Sequence, residues 1–391
     1  MAQLLLLQEQ EFHTRLQEVR RLMESQSTDA LLISDNANIY YLTGRVFTGL
    51  VYIPVSGPVI FFVRRPVNLT GDGVVYIRKP EQITETIGLN LPARLGLELD
   101  ITAYSTIGRF KAIFPDTTEI TNASPLLRDA RSRKTPMEID MIRTSGIKQE
   151  RVYRRIPHLY RPGMTDLELQ VEIERTSRLE GCLGQFRISG DSMELYMANL
   201  LVGDNADTPT PYDFAMGGEG LDPSLPVGCN GTIIREGLSV MADVNGNYTG
   251  YMTDMTRTFA LGSLKPLALK AHQCSIDICD MIAAKALPGT KAKELYELAE
   301  QYVREQGLHE YFMGHKQKAG FIGHGVGIEI NELPVIAPRS RDILAEGNVI
   351  ALEPKFVIPG TGAVGIENTY LVTATGLECL TNAPQQIITL E

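Results

Sequence analysis

The stretch Ala242-Asp-Val-Asn-Gly-Asn-Tyr-Thr-Gly-Tyr-Met-Thr-Asp-Met-Thr-Arg-Thr-Phe259 decides the fold of the C-terminal part of this chain. Its acids Asp243 and Asp254 are eleven residues apart, which on an α-helix would separate them by about 16 Å along the axis. A hairpin brings them together instead, because strand-like runs flank the turn signal Asn245-Gly-Asn247. Gly250 is a candidate bulge that would re-aim Asp254 toward Asp243.

A second hairpin is predicted near the C-terminus around the turn Pro359-Gly-Thr-Gly362, with strands at residues 350–358 and 363–373. Glu353 and Glu367 lie symmetrically about the centre of this turn, so they are expected to face each other across the hairpin. At about 4 Å, two such charges repel by on the order of 4 kcal/mol at an effective dielectric near 20. This repulsion indicates that cations balance the charge.

An imidazole completes the candidate site. His324 lies in Phe321-Ile-Gly-His-Gly-Val-Gly327, where the glycines let a backbone pass close to a site. Each acid taken alone is typical of a solvated hairpin, but the apolar runs that precede Asp243 and Glu353 indicate burial. Two divalent cations would cancel four negative charges, and a carboxylate and imidazole set suits manganese, cobalt, iron or zinc. The predicted ligands are Asp243, Asp254, His324, Glu353 and Glu367.

The composition narrows the class of protein. The chain is 43% hydrophobic and 21% charged with a net charge of -10, which argues against a nucleic-acid-binding protein because phosphate contacts require clustered Lys and Arg. Its five cysteines are scattered without a CxxC pair, which predicts neither a disulfide framework nor a thiolate zinc site. No apolar run reaches the length of a membrane span, and the run Leu4 to Leu7 is too short for a signal core, so a cytoplasmic location is expected.

The length of 391 residues predicts two domains. In residues 1–125, a helical pattern at 7–24 is followed by strand-like segments at 29–34 and 38–44 and by a hairpin at 49–64, which together predict a small α/β domain. A charged stretch, residues 128–134, is the expected connector. Residues 126–391 form the second predicted domain.

The second domain contains an apparent internal duplication. Capping boxes at Thr135 and Thr165 predict helices at 136–158 and from 165 to Gly181, and a similar helix pair follows at 266–287 and 291–306. Each pair precedes a strand-rich segment that carries two of the four acids. The pattern predicts an α+β domain with duplicated αβ halves around a curved antiparallel sheet. A chance recurrence of Pro-Gly-Thr turns between helices is the alternative.

These motifs resemble the pita-bread metallopeptidase family that includes Xaa-Pro dipeptidases, aminopeptidases P, methionine aminopeptidases and creatinase. The matching stretches are 242–259, Gly323-His-Gly-Val-Gly327, Leu352-Glu-Pro354 and Gly365-Ile-Glu367, and the segment Asn38 to Gly44 resembles the N-terminal domain of the creatinase type. The resemblance covers nearly the whole chain. It implies a homodimer whose C-terminal domain has the pita-bread fold.

The resemblance also implies roles for the predicted ligands. Asp243 and Asp254 would bind one ion, His324 and Glu353 the other, and Asp254 and Glu367 would bridge the two. A bridging hydroxide would then be the nucleophile, and Glu353 the proton carrier.

The sequence departs from the family pattern at three positions. No His occurs between His158 and His272, where the family has one ahead of its first metal ligand. Asn331 replaces a second His in the His-Glu-x-Pro motif, and Gly365 replaces an Arg. The missing histidines would stabilise the oxyanion by roughly 3 kcal/mol per donor. Asn331 is the predicted substitute donor. The segment from Gly190 to Gly231 offers three side chains that would reshape the pocket: Asn199, Asn205 and Tyr212. The alternative for this segment is a solvated loop or a dimer contact.

Three functions are compatible with these features. The leading prediction is a dinuclear metallohydrolase of small peptides or peptide-like amides, a metallopeptidase of the Xaa-Pro dipeptidase or aminopeptidase kind by family analogy. The second is a metalloenzyme that cleaves a carbon–nitrogen or carbon–sulfur bond in a small metabolite, which the missing histidines favour. The third is a non-catalytic binding protein, although such relatives typically lose the metal ligands that this sequence retains.

Overall fold

The computed structural model describes residues 1–190 and 195–391, which form two compact units, Met1–Arg131 and Ser132–Glu391. The first unit is built on a mixed sheet with strand order β6-β4-β3-β2-β7-β8, while β1 and β5 pair separately. Its strands are β1 Ala2–Gln3, β2 Ala30–Ile33, β3 Thr48–Pro54, β4 Ile60–Arg65, β5 Leu69–Thr70, β6 Val74–Tyr76, β7 Arg94–Leu97 and β8 Glu119–Asn122. Its helices are α1 Glu9–Ser25, α2 Asn36–Thr43, α3 Glu81–Ile87, α4 Tyr104–Ile113 and α5 Ser124–Ser132.

One prediction for this unit was wrong. The segment 38–44, expected to be a strand, lies in helix α2. The Asp35 carboxylate accepts hydrogen bonds from the backbone N–H groups of Ala37 and Asn38, and Gly44 ends the helix with a positive φ of 70°. An N-cap and a left-handed C-terminal glycine define a helix even where β-branched and aromatic residues favour a strand. The predicted hairpin at 49–64 is present as β3 and β4.

The second unit contains the two helix pairs. They are α6 Pro136–Tyr153, α7 Asp166–Leu179, α8 Pro266–Lys285 and α9 Ala292–Glu305, with short 3₁₀ segments at Ile156–Leu159 and Gly203–Asp207. Both predicted capping boxes form, because the side chains of Thr135 and Thr165 accept from the backbone of Glu138 and Glu168, and each Glu returns the bond. These caps satisfy N–H groups that have no partner within the helix.

Each helix pair accompanies a sheet that carries part of the site. In the described part of the chain, the first sheet has the order β19-β11-β10-β9, the second β13-β12-β14-β17-β18, and β15 pairs with β16. The strands are β9 Ala198–Val202, β10 Ser239–Asn247, β11 Met252–Ala260, β12 Gly323–Gly325, β13 Glu332–Ile336, β14 Val349–Leu352, β15 Lys355–Ile358, β16 Gly362–Gly365, β17 Asn368–Thr373, β18 Gly376–Cys379 and β19 Ile388–Thr389. An isolated antiparallel bridge between Thr256 and Glu367 joins the first sheet to the second half of the domain.

The β10–β11 hairpin turns later than expected. Its ladder runs without a register shift from Ser239 paired with Ala260 to Asn247 paired with Met252. The Asn-Gly turn signal at 245–246 therefore lies inside strand β10, and Gly250, with a φ of 92°, lies in the connecting turn rather than in a bulge. Cross-strand pairing overrides the local turn preference of Asn-Gly.

The second predicted hairpin is interrupted at the two glutamates. Strand β14 pairs with β17, and β15 pairs with β16, so Glu353 and Glu367 lie in the gaps between these two ladders. Partners in both ladders are placed symmetrically about residue 360, as are the two glutamates. The two glutamates therefore belong to neither ladder, and their backbones pair with other segments instead.

Apolar cores support these sheets. Helices α8 and α9 contribute Ala271, Ile278 and Leu295 to one cluster with the β14–β17 strands, and α6 and α7 pack Val152 and Ile173 against β9 to β11. None of the helices in the described part of the chain combines the length and apolar character that crossing a bilayer requires.

Candidate metal centre

Asp243 and Asp254 converge because of their register on β10 and β11. Asp254 is paired with Asn245, two residues beyond Asp243 on the same strand, so the two acids are diagonal neighbours on one face of the sheet. Asp254 is buried, whereas 21% of the Asp243 side chain is exposed. With its amide nitrogen facing the acid, Asn245 donates to the two Asp254 oxygens at 2.9 and 3.2 Å. The predicted convergence of this pair needs no bulge.

Glu367 is fixed by contacts with β11. The Thr256 hydroxyl donates to Glu367 Oε2 at 2.7 Å, and the backbones of these residues pair in both directions. The buried guanidinium of Arg257 donates to the Glu367 carbonyl at 2.8 Å and to Asn368 Oδ1 at 2.7 Å. Glu353 is held by its backbone N–H, which donates to the Ile322 carbonyl. These contacts aim both carboxylates at the sheet face that carries the aspartates.

His324 lies on β12, the strand paired with β14, which directly precedes Glu353. Its Nδ1 is 3.1 Å from the Gly325 carbonyl and therefore donates to it when the ring is neutral. This tautomer leaves Nε2 as a lone-pair donor, 3.4 Å from Glu353 Oε1 and 3.9 Å from Asp254 Oδ2. The glycines beside His324 are required, since a Cβ at residue 325 would lie 2.2 Å from the Leu333 carbonyl oxygen.

The structure adds one group that the sequence analysis missed. Lys355 is completely buried, and its Nζ donates to Asp243 Oδ2 at 2.9 Å, Glu353 Oε2 at 2.8 Å and Glu367 Oε2 at 3.0 Å. Three hydrogens and three acceptors satisfy the ammonium completely. The sequence contains a hint of this role, because Lys355 is a charged residue in an otherwise apolar run. It lies two residues after Glu353 and so on the same face of the strand predicted at residues 350–358. A lysine is almost never fully buried unless it is paired.

Burial and crowding displace the pKa values of this cluster. Burial, with the nearby charges of Glu367 and Asp243, raises the pKa of Asp254 well above its usual range. Burial and the Glu353 charge likewise raise the pKa of Glu367 to about 8. Burial opposes ionisation of Glu353 as well, but the Lys355 ammonium and the hydrogen bond with His324 hold its pKa below the usual value. A cation near Asp254 and Glu367 would favour their charged forms.

A second pair of shifts concerns the basic groups. Burial disfavours a charged imidazole, yet the hydrogen bond and the charge of Glu353 raise the pKa of His324. Burial also disfavours the ammonium of Lys355, but the surrounding charges of Asp243, Glu353 and Glu367 hold its pKa well above the usual range. These three carboxylates therefore favour the charged form of Lys355.

The five predicted ligands fall into two overlapping groups. In each group, one ligand atom of every member lies within 4.8 Å of the others; the groups are Asp254, His324 and Glu367, and Asp243, Glu353 and Glu367. Glu367 belongs to both, as expected for a bridging residue, but Asp243 is grouped with Glu353 rather than with Asp254. Within residues 1–190 and 195–391, no hydrogen-bond partner reaches the buried Glu367 Oε1. A buried carboxylate with an oxygen that lacks a hydrogen-bond partner, grouped with an imidazole and a second carboxylate, fits a divalent cation.

Asn331, the predicted substitute donor, is anchored to the backbone of Ser189. Its Oδ1 accepts from the Ser189 N–H at 2.7 Å, and its Nδ2 donates to the Ser189 carbonyl at 2.5 Å. The amide nitrogen carries a second hydrogen. The two hydrogen bonds with Ser189 fix the orientation of the Asn331 side chain. Its role in catalysis stays a prediction.

The three side chains that were expected to shape the pocket, from the segment between Gly190 and Gly231, each contact a different part of the chain. Asn199 is paired with Asp243 across β9 and β10, and its Nδ2 donates to the Met216 carbonyl at 3.0 Å. Asn205 Nδ2 donates to the Gly228 carbonyl, and its Oδ1 accepts from the Glu219 N–H, so this side chain links two parts of the loop. Tyr212 stacks at a tilt on Phe214. Residues 191–194 of this segment lie outside the described part of the chain.

A buried cluster of carboxylates with one imidazole is typical of proteins that bind divalent metal ions. The model of metallopeptidase family M24 matches residues 140–374, and that of the creatinase/prolidase N-terminal domain matches residues 15–133. Because the first match spans more than half of the chain, the protein belongs to metallopeptidase family M24. The resemblance, the two-domain fold and the metallopeptidase class predicted from the sequence are confirmed.

Relatives of known name support this assignment. The chain is 27% identical to the uncharacterized peptidase YqhT of Bacillus subtilis, over 96% of this chain and 100% of that protein. It is also 27% identical to a Xaa-Pro dipeptidase of Pyrococcus furiosus, over 96% and 99% of the two chains. The structure matches a Xaa-Pro dipeptidase from Bacillus anthracis with a TM-score of 0.79 at 23% identity, over 97% of this chain and 100% of that chain. At that identity the structural match concerns the fold.

Proposed function

We propose that this protein is a metal-dependent hydrolase of small peptides, with Xaa-Pro dipeptides as its first candidate substrates. The observation that carries the proposal is the convergence of Asp254, His324 and Glu367 in a chain that belongs to a metallopeptidase family. One buried Glu367 oxygen also lacks a hydrogen-bond partner among the described residues. The names of the relatives supply the dipeptide class.

The candidate ligands and the residues around them have different roles in the proposed reaction. Asp254, His324 and Glu367 would hold a divalent ion, which would supply a Lewis acid for lowering the pKa of water and polarising the scissile carbonyl. We assign to Glu353, whose Oε1 lies 3.4 Å from His324 Nε2, the role of accepting a proton from the attacking water and passing it to the leaving amine. Asn331 has a second amide hydrogen, which we assign to the substrate carbonyl. Thr256 and Asn245 keep the ligand carboxylates oriented.

The experiment uses the full chain purified without chelator and assayed with Mn²⁺ or Co²⁺ on Xaa-Pro dipeptides, with matched Xaa-Ala dipeptides as comparison. Release of free proline is the expected result. Asp254→Asn should abolish turnover, whereas Asp280→Asn on the exposed face of α8 is the matched control and should retain it. A metal-loaded chain that cleaves no dipeptide would refute the proposal and favour the small-metabolite alternative.

A second experiment tests the substitute donor. Loss of one oxyanion donor costs about 10²- to 10³-fold in kcat in comparable enzymes. Asn331→Asp removes the amide hydrogens with little change in size and should lower kcat by about that factor. Unchanged turnover in the folded variant would remove Asn331 from the mechanism.

The metal identity, the assembly and the location are proposed from the family resemblance. Manganese, cobalt, zinc and iron all suit an oxygen- and nitrogen-donor set, and elemental analysis distinguishes them. A homodimer in the cytoplasm is the proposed state. Light scattering of the purified chain tests the dimer, since a monomer mass at assay concentration would contradict it.

A further inference from the structure

The position of Lys355 coincides with one of the two candidate ion positions. Its Nζ lies between 2.8 and 3.0 Å from one oxygen of each of Asp243, Glu353 and Glu367. These are the same residues that form the second ligand group. An ion there would need those oxygens at about 2.0–2.2 Å, so the ammonium and an ion cannot occupy the position together.

Lys355 is held in that position by its surroundings. The residue is completely buried and belongs to the β15–β16 ladder, where it is paired with Gly365. Withdrawal of the ammonium would break three charge-assisted hydrogen bonds and leave a buried charge without partners, which is strongly unfavourable. The side chain is therefore a fixed part of the site.

The lysine makes no hydrogen bond with two of the three members of the first ligand group, Asp254 and His324, among the described residues. His324 Nε2 and Asp254 Oδ2 lie 3.9 Å apart, and neither contacts Lys355 in the described structure. Glu367 uses Oε2 for Lys355 and Thr256, while its Oε1 is the orphaned atom. One oxygen of this carboxylate is therefore occupied by hydrogen bonds, and the other has no hydrogen-bond partner that would compete with an ion in the first group.

We propose that Lys355 replaces one of the two cations expected in this site, so that the chain binds a single divalent ion, at Asp254, His324 and Glu367. The inference rests on the proposed function only for the expectation that the site binds metal. One ion and the ammonium offset three of the four carboxylate charges. The prediction of two ions took no account of this lysine.

Metal stoichiometry tests the proposal directly. The protein is saturated with Mn²⁺, freed of loose ions by gel filtration, and measured by elemental analysis and by electron paramagnetic resonance. The expected result is about one ion per chain with the hyperfine-resolved spectrum of an isolated Mn²⁺. Two ions per chain, or an exchange-coupled spectrum, would overturn the proposal, as would a chain that binds none.

Two matched aspartate variants locate the ion. Asp254→Asn should abolish tight Mn²⁺ binding, whereas Asp243→Asn, which removes only a partner of Lys355, should still bind one ion per chain. In a two-ion site both variants would lose metal. Equal loss in both variants would therefore contradict the assignment of the ion to the Asp254 group.

Substitution of the lysine supplies the converse test. Lys355→Ala opens the second group and should raise the capacity to about two Mn²⁺ per chain, whereas Lys355→Arg keeps the charge and should stay at one. A folded Lys355→Ala protein that still binds one ion would count against the proposal. If this variant does not fold, the aspartate pair decides the question.

These results are independent of the peptidase assay. A chain that binds one Mn²⁺ at the Asp254 group and cleaves no dipeptide would retain this inference and refute the proposed function. A chain that cleaves Xaa-Pro dipeptides with two bound ions would do the reverse.

Discussion

Replacement of Thr256 by Val should weaken metal binding without disturbing the fold. Thr256 is completely buried, and its hydroxyl donates to Glu367 Oε2 at 2.7 Å. Valine keeps the branched shape and removes only the hydroxyl. The backbone pairing between the two residues is retained, so the loss is confined to the orientation of the carboxylate.

The magnitude follows from the type of bond. A hydrogen bond to a charged group contributes about 1.5–3 kcal/mol, which at about 1.4 kcal/mol per decade corresponds to roughly 10- to 100-fold in affinity. Loss of a hydrogen bond behind a metal ligand typically has the same effect. We therefore expect the Kd for Mn²⁺ to rise about 10- to 100-fold in Thr256→Val, measured by competition with a chromophoric chelator at 25 °C.

The control lies two residues further along the same strand. Thr258 is equally buried, but its hydroxyl contacts the backbone of Gly365 rather than a ligand carboxylate. Thr258→Val should lower stability while changing the Kd by no more than about threefold. The reasoning is refuted if Thr256→Val leaves the Kd within that range, or if both variants weaken binding equally.

Three further predictions concern other parts of the chain. Burial lowers the pKa of His272, whose Nε2 lies 2.8 Å from the Gln385 carbonyl. As the pH drops below about 6.5, the unfolded chain binds a proton at this residue before the folded chain does, so the free energy of unfolding falls. Urea titrations should show a smaller fall in His272→Gln. Thr165→Ala removes a capping bond of α7 and should cost about 1 kcal/mol in urea unfolding; no change would contradict the cap's contribution. Gly325→Ala places a Cβ 2.2 Å from the Leu333 carbonyl oxygen, so it should lower the free energy of unfolding by about 1–3 kcal/mol and weaken Mn²⁺ binding. Thermal melts and chelator competition measure the two effects, and wild-type values in both would disprove the close contact.

Structural features that are set by residues close together in the sequence were predicted correctly. The capping boxes at Thr135 and Thr165 specify their own hydrogen bonds within one turn of helix, and both form. The symmetric placement of Glu353 and Glu367 also survives in the paired strands on either side of them. In both cases the relevant geometry is set within a short segment.

Features that depend on distant residues were missed or misplaced. Asn245 carries a turn signal, but its side chain faces Asp254 and its backbone continues the ladder of β10. Lys355 is a cation in an apolar run, and its three partners come from positions as far as 112 residues away in the chain. Local preference cannot reveal such partners, because burial and cross-strand neighbours decide them.

The lysine in the acidic cluster also affects how the protein depends on its surroundings. An inorganic ion has to be acquired after synthesis and is lost to chelators, whereas an ammonium encoded in the gene is present as soon as the chain folds. Part of the repulsion among Asp243, Glu353 and Glu367 is thus relieved before any ion arrives. If Lys355 replaces one of the two ions, as proposed, a cell short of transition metals would still obtain a folded apoprotein that requires a single ion.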